Sequence, residues 1–223
     1  MGRGGTFKLV LLHGLHDPRL ANQFTPLSLI EHAVVELAHP ADVIRYPWGH
    51  EIDPGDAVFR ALTGSLGAWG APRLNSFLAA QLDRSDIELI VGGFSGGGWI
   101  LTSCLAGAHP DLKQRVRFAF TIASPIRNCR LDITLRGAAI PVKRQWDGDV
   151  YSMMNGLNQH CLHAVYSSAD DTVPIENAEY PPGLAATGLV TQKDVVTPNH
   201  DQICDFPVTI DFIRSCLTAT LGA

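Results

Sequence analysis

The sequence predicts an α/β layer fold with a mostly parallel sheet, and three observations lead there. Short apolar runs alternate along the chain with segments whose apolar residues recur at helical spacing. Several of the runs are continuously apolar, the pattern of strands covered on both faces. The length of 223 residues, with 46% hydrophobic and 17% charged residues, suits one well-filled domain and is short for two. A single domain over residues 1–223 is therefore expected, and no internal repeat breaks it.

The elements follow in order. Phe7-Lys8-Leu9-Val10-Leu11-Leu12 reads as a buried strand closing on the turn His13-Gly14. Leu27, Ile30, Val34 and Leu37 mark a helix from about Phe24 to Leu37. Asp42 to Tyr46 is a second strand, stopped by Pro47, and a loop rich in Gly, Pro and Asp runs on through Trp48 to Gly55. Leu74, Phe77, Leu78 and Leu82 predict another helix, with Pro72 near its first turn. Ile87 to Val91 is a strand that enters the run Gly92-Gly93-Phe94-Ser95-Gly96-Gly97-Gly98, and a helix continues from Trp99 through Ala106. Val116 to Ala123 is a strand ended by Ser124-Pro125. Residues 126–159 are less periodic and read as a small cap or excursion over the sheet. Leu162 to Tyr166 is a further strand, Asp194 to Thr197 a weaker one, and a helix from about Val208 to Leu221 ends the chain.

Composition excludes several classes of function. The net charge of −5 gives no general attraction to nucleic acid, and no partner of that kind is expected. No apolar run approaches the roughly 20 residues that span a bilayer. The N-terminus lacks the apolar stretch of a signal peptide, so a cytoplasmic protein is expected; Gly2 and Thr6 match the loose myristoylation pattern only weakly. The cysteines, 104, 129, 161, 204 and 216, are scattered and form no CxxC pair, so neither a metal nor a redox site is expected. Reduced thiols are the plain reading, with a Cys204–Cys216 disulfide as the alternative. One stretch departs from the average: from Lys113 to Arg144 there are eight basic residues and one acid, Asp132. Within the expected cap, Arg127, Arg130, Arg136, Lys143 and Arg144 read as a solvated face, or as a site favouring an anionic substrate or an acidic partner surface.

The glycine run admits three readings. A linker does not fit, because an apolar strand and an apolar helix flank it directly. A phosphate cradle needs Lys-Ser/Thr after the last glycine, and Trp99 stands there. Gly93-Phe94-Ser95-Gly96-Gly97 instead fits G-x-S-x-G between a strand and a helix, the setting of an exposed nucleophile. A serine hydroxyl needs a base, and the base needs an orienting acid. Asp170 and Asp171 follow the strand ending at Tyr166, and His200 lies in the loop before the last helix. Both loops lie beyond strand ends, where the sites of parallel sheets gather.

With these residues the sequence resembles the α/β-hydrolase superfamily, in particular its compact lipase- and esterase-like members. The resemblance spans nearly the whole chain. It rests on His13-Gly14 after the first strand, the Ser95 turn, the Ser168-Ala169-Asp170 segment before Val173, His200, and Thr121-Ile122-Ala123-Ser124-Pro125 at a strand end. It implies a central sheet flanked by helices on both faces and a Ser95–His200–Asp170 triad, with Asp171 as the reserve acid. It also implies an oxyanion hole from the backbone N–H groups of Leu15 and Gly96, although His16-Asp17-Pro18 stands where relatives often carry small glycines. The expected reaction is hydrolysis of a carboxylic ester in a small acyl substrate, through an acyl-enzyme and without a cofactor. A thioesterase, amidase, lactonase or acyltransferase on the same scaffold stays open, as does a binding protein that kept the fold. His16, Trp48 and Trp146 are candidates for the substrate pocket, Trp99 for packing its helix on the sheet, and His13 for a structural role behind the oxyanion turn.

Overall fold

The structure, a computed structural model, describes residues 6–15, 25–48, 56, 60, 65–125, 130–135, 138–143, 162–173, 175–180, 190–197 and 199–222. Strands β1 (Thr6–Leu12), β2 (Asp42–Tyr46), β3 (Ile87–Phe94) and β4 (Val116–Ile122) belong to the main sheet. Strands β5 (Arg130–Leu135) and β6 (Ala138–Lys143) pair only with each other. Strands β7 (Leu162–Tyr166) and β8 (Val190–Asp194) complete the main sheet. Its order is β2-β1-β3-β4-β7-β8, and every pairing in it is parallel. The helices whose bounds lie among the described residues include α1 (Ser28–Ala38), α2 (Leu66–Gln81), α3 (Gly96–Gly107), α4 (Pro110–Arg115), α5 (Ile175–Ala178) and α6 (Pro207–Gly222).

Alternation along the strands fills two cores, one on each face of the sheet. Val10, Leu12, Leu89, Val91, Ala119 and Ala164 point to the face covered by α2 and α3. Leu9, Leu11, Ile90, Phe118, Phe120 and Val165 point to the face covered by α1 and α6. Both sides of each central strand are therefore buried, and the sequence reads there as an unbroken apolar run. From β1 the chain moves outward to β2 and then inward past β1 to β3. The strand order reverses there, and the carboxyl ends of strands at such a reversal are where the sites of open parallel sheets gather.

Several expectations need correction. The second major helix starts at Leu66, so Pro72 lies inside it, on an exposed position where its missing N–H is tolerated. The weak strand near the C-terminus is Val190–Asp194, not Asp194–Thr197. Beyond it, Val196 is 65% exposed with φ 46°, a conformation that ends a strand. Leu37 is 38% exposed, and Ala38 takes the inward place at the end of α1. Part of the stretch expected to be aperiodic is the β5–β6 hairpin, with Ile133 paired to Ile140. Cys104, Cys204 and Cys216 are free thiols, so the Cys204–Cys216 bridge is not formed. Ahead of the expected cap, the first cations of the basic stretch are tied to backbone carbonyls. Lys113 donates to the Ala106 carbonyl, Arg115 to those of Arg84 and Ile87, and Arg117 to that of Thr220.

Candidate active site

Ser95 is the single residue between β3 and α3, with φ 50° and ψ −121°. A left-handed φ is costly for a residue with a Cβ and persists only where the surroundings enforce it. Here the Ser95 N–H donates to the Ile122 carbonyl at 2.9 Å, and its own carbonyl accepts from Trp99 N at 3.2 Å, opening the helix. The neighbouring glycines let the turn close. A Cβ on Gly93 would lie 2.6 Å from the Gly98 backbone, and one on Gly97 would run into the carbonyl oxygens of Leu12 and His13. The helix start is thereby pressed onto the end of β1. The Ser95 side chain makes no capping bond with α3, which leaves its hydroxyl available.

The loop after β1 meets this turn. A Cβ on Gly96 would sit 3.4 Å from the Leu15 amide nitrogen, which measures how closely the two backbones approach. Neither the Leu15 nor the Gly96 N–H has an acceptor among the described residues. His13 is buried, and its Nδ1 lies 2.7 Å from the Gly14 carbonyl. Trp48 stacks on His13 with centroids 5.0 Å apart, and its Nε1–H donates to the His13 carbonyl at 3.0 Å. At 1% exposure Trp48 lies under the loop as packing and a hydrogen-bonded brace. Trp99, also 1% exposed, belongs to the core on this face of the sheet, with its indole against Gly67 of α2 rather than only between its own helix and the sheet.

Two loops from the far half of the sheet bring the acid and the histidine together. His200 Nδ1 lies 2.8 Å from Oδ2 and 3.1 Å from Oδ1 of Asp170. Asp170 Oδ1 also accepts from the amides of Thr172 at 2.8 Å and Val173 at 3.0 Å. The Asp170 side chain is 1% exposed and that of His200 11%. A carboxylate only accepts, so this contact takes its proton from Nδ1. The other ring nitrogen, Nε2, is buried and has no hydrogen-bond partner among the described residues. Asp171 is exposed and touches His200 only through its backbone, Oδ1 accepting from the His200 amide at 3.3 Å.

The His200 ring lies against Phe94, the neighbour of Ser95, with centroids 5.0 Å apart. Sequence reasoning gave Phe94 no part, although the variable position of G-x-S-x-G is where such a ring sits. No hydrogen bond joins Ser95 to His200 among the described residues. His16 and Trp146 lie outside the described residues, as do Arg127, Arg136 and Arg144 of the basic stretch. Among the described residues no three His, Cys, Asp or Glu side chains converge to hold a metal ion, and no helix is long and apolar enough to cross a membrane.

No protein-family model matches the chain, and no curated protein matches it in sequence. Its similarities are to solved structures. Acyl-protein thioesterase 2 of Zea mays is 19% identical with a TM-score of 0.54, over 98% of this chain and 95% of that one. An acetylxylan esterase is 15% identical with a TM-score of 0.58, over 98% and 99%. A cutinase-like protein from Cryptococcus sp. is 14% identical with a TM-score of 0.52, over 98% and 96%. Taken with the parallel sheet, its strand order and the helices on both faces, these likenesses show that the chain has the α/β-hydrolase fold.

Proposed function

We propose that this protein is a serine hydrolase that cleaves a carboxylic ester in a small acyl substrate. One observation carries the reading: the ring of a buried Asp170–His200 pair, its Nε2 without a partner among the described residues, packs on Phe94, the residue before a serine held in a left-handed turn. Ser95 attacks the acyl carbonyl while His200 Nε2 takes the hydroxyl proton. The carboxylate of Asp170 keeps the imidazole in the Nδ1–H tautomer and stabilises the cation that forms. The tetrahedral oxyanion is held by the N–H groups of Leu15 and Gly96, which have no acceptor among the described residues. Donors of this kind lower barriers by about 3–4 kcal/mol each. The protonated His200 then gives its proton to the departing alcohol. Water, deprotonated by the same nitrogen, releases the acid from the acyl-enzyme. This mechanism requires the Ser95 hydroxyl to reach Nε2 when substrate is bound; catalytic hydrogen bonds of this kind are often long or poorly aligned without it.

A fluorophosphonate probe followed by peptide mapping tests the reading. Labelling at Ser95 is expected, and it should vanish in Ser95→Ala and His200→Ala. Panels of p-nitrophenyl esters and acyl-thioesters then separate an esterase from a thioesterase. A folded wild-type protein that neither labels nor turns over any acyl substrate would overturn the proposal.

A further inference from the structure

The two loops that carry Asp170 and His200 are fastened to each other by two side chains, Ser167 and Asp194, which lie outside the triad. Ser167, 1% exposed, donates its hydroxyl to the Thr197 carbonyl at 2.7 Å. The same oxygen accepts from the Thr197 amide at 2.8 Å and from the Ala169 amide at 3.1 Å. One hydroxyl thus uses its donor and both lone pairs. It grips both backbone groups of a residue three positions before His200 and the amide just before Asp170. Asp194 answers from the other side. Its Oδ1, at the end of β8, accepts from the Ser168 amide at 3.0 Å and from the Val196 amide at 3.0 Å.

Between these grips the backbone is strained. Val196 has φ 46°, a region that a β-branched residue rarely enters. Its side chain is 65% exposed, so burial does not hold it there. The hydrogen bonds on its own amide and on the next residue's amide do, and they turn the chain out of β8 toward His200. We infer that Ser167 and Asp194 are positioning residues: a reciprocal clasp across the two loops that holds His200 in register with Asp170 and Ser95 through the strained turn at Val196. This rests on the serine-hydrolase reading for its effect on reactivity, but the clasp itself acts on the His200–Asp170 pair.

The test uses the full chain and variants Ser167→Ala, Asp194→Ala and Asp194→Asn, all kept well below their melting temperatures. The readouts are the rate of fluorophosphonate labelling at Ser95 and the downfield proton resonance of the His200 Nδ1–H. Asparagine keeps the Oδ1 acceptor, so Asp194→Asn separates clasping from charge. Displacing a reacting group by about 1 Å slows a reaction roughly 100-fold. Labelling should therefore slow about 10- to 100-fold in Ser167→Ala and Asp194→Ala, with the resonance broadened or shifted, while Asp194→Asn stays within about threefold of wild type. A purely stabilising role would lower the melting temperature and leave both readouts unchanged in the folded variants; that result overturns the inference. If Ser167→Ala does not fold, the Asp194→Ala and Asp194→Asn pair decides alone. If the wild type itself does not label, the hydrolase reading falls, and the clasp is judged on the Nδ1 proton. Its loss in the alanine variants then supports the clasp, and its persistence overturns it.

Discussion

Asp170→Asn separates catalysis from stability more cleanly than any other change at this site. The asparagine keeps Oδ1, which accepts from the Thr172 and Val173 amides at 2.8 and 3.0 Å. It replaces Oδ2, the atom 2.8 Å from His200 Nδ1, with an N–H donor. Two donors cannot share that contact, and the remaining acceptor, Oδ1, is farther at 3.1 Å and already taken by two amides, so the imidazole is expected to move its proton to Nε2. The nitrogen that should accept the Ser95 proton is then occupied. A wrong tautomer of this kind costs about 10⁴-fold in rate, or roughly 5.5 kcal/mol of barrier. The fold should notice little, about 1 kcal/mol or less, because both amides keep their acceptor. Asp170→Ala differs. It removes the acceptor from the buried Val173 amide, from the exposed Thr172 amide and from the His200 Nδ1–H, for a loss of about 3 kcal/mol in all. Asp171→Asn is the control, since its Oδ1 contacts to the Thr172 hydroxyl and the His200 amide survive the change. The assay pairs labelling rate and ester hydrolysis with urea denaturation of each variant. The reasoning fails if Asp170→Asn keeps wild-type reactivity, or if Asp171→Asn is the variant that loses it.

Two further predictions concern the loop before His200. Burial pushes the Asp194 carboxyl up, but hydrogen bonds from Ser168 and Val196 and the charge of Lys193 outweigh it and hold the group below the ordinary carboxylate range. A lowered folded-state value means stability that is present above the unfolded-state pKa and lost as the pH falls through the folded one. The wild type should therefore melt above Asp194→Asn at pH 7, with the gap closing below about pH 4; a gap that does not change with pH refutes this. At Val196, glycine accepts φ 46° without strain and gives up little burial, so Val196→Gly should add about 0.5–1 kcal/mol, or roughly 2–3 °C in melting temperature by calorimetry.

What could be read from the sequence, and what could not, follows from the range of the interactions involved. The Ser95 turn was legible because strand, glycines and helix are contiguous, and so were the central strands, whose neighbours bury both faces. The first half of α2 was hidden because Leu66-Gly67-Ala68-Trp69-Gly70 reads as a loop by helix propensity. Those glycines answer to packing instead: Gly67 faces Trp99 and Ser103 of α3, and Gly70 faces Ile100. Tertiary contact overrode propensity there. β8 was displaced because Val195 and Val196 look more strand-like than Thr191, Gln192 and Lys193, which form an edge strand with alternate residues exposed. Asp170 and Asp171 are adjacent in sequence, and only the direction of each side chain separates them. Trp48 looked like a pocket residue because its loop is rich in Gly and Pro, yet its indole N–H is used 35 residues back, on His13. The Ser167–Thr197 grip, like that brace, joins positions far apart in sequence, and no local pattern announces it.

The all-parallel main sheet also sets the order in which this site can come into being. No strand of it is joined to its neighbour by a hairpin, and β1 must bridge β2 and β3, with Thr6 finding Ile87 across the intervening chain. Pairings of such separation form late and slowly, because loop closure precedes any gain from the contact. The Gly97 backbone rests on the end of β1, so the Ser95 turn takes its shape only after β1 has docked beside β3. The last contacts, between loops at the far half of the sheet, depend on β7 and β8 arriving as well. A nascent or partly unfolded chain therefore carries Ser95, Asp170 and His200 as three unconnected residues, and the Asp170–His200 contact becomes a late reporter of the completed sheet.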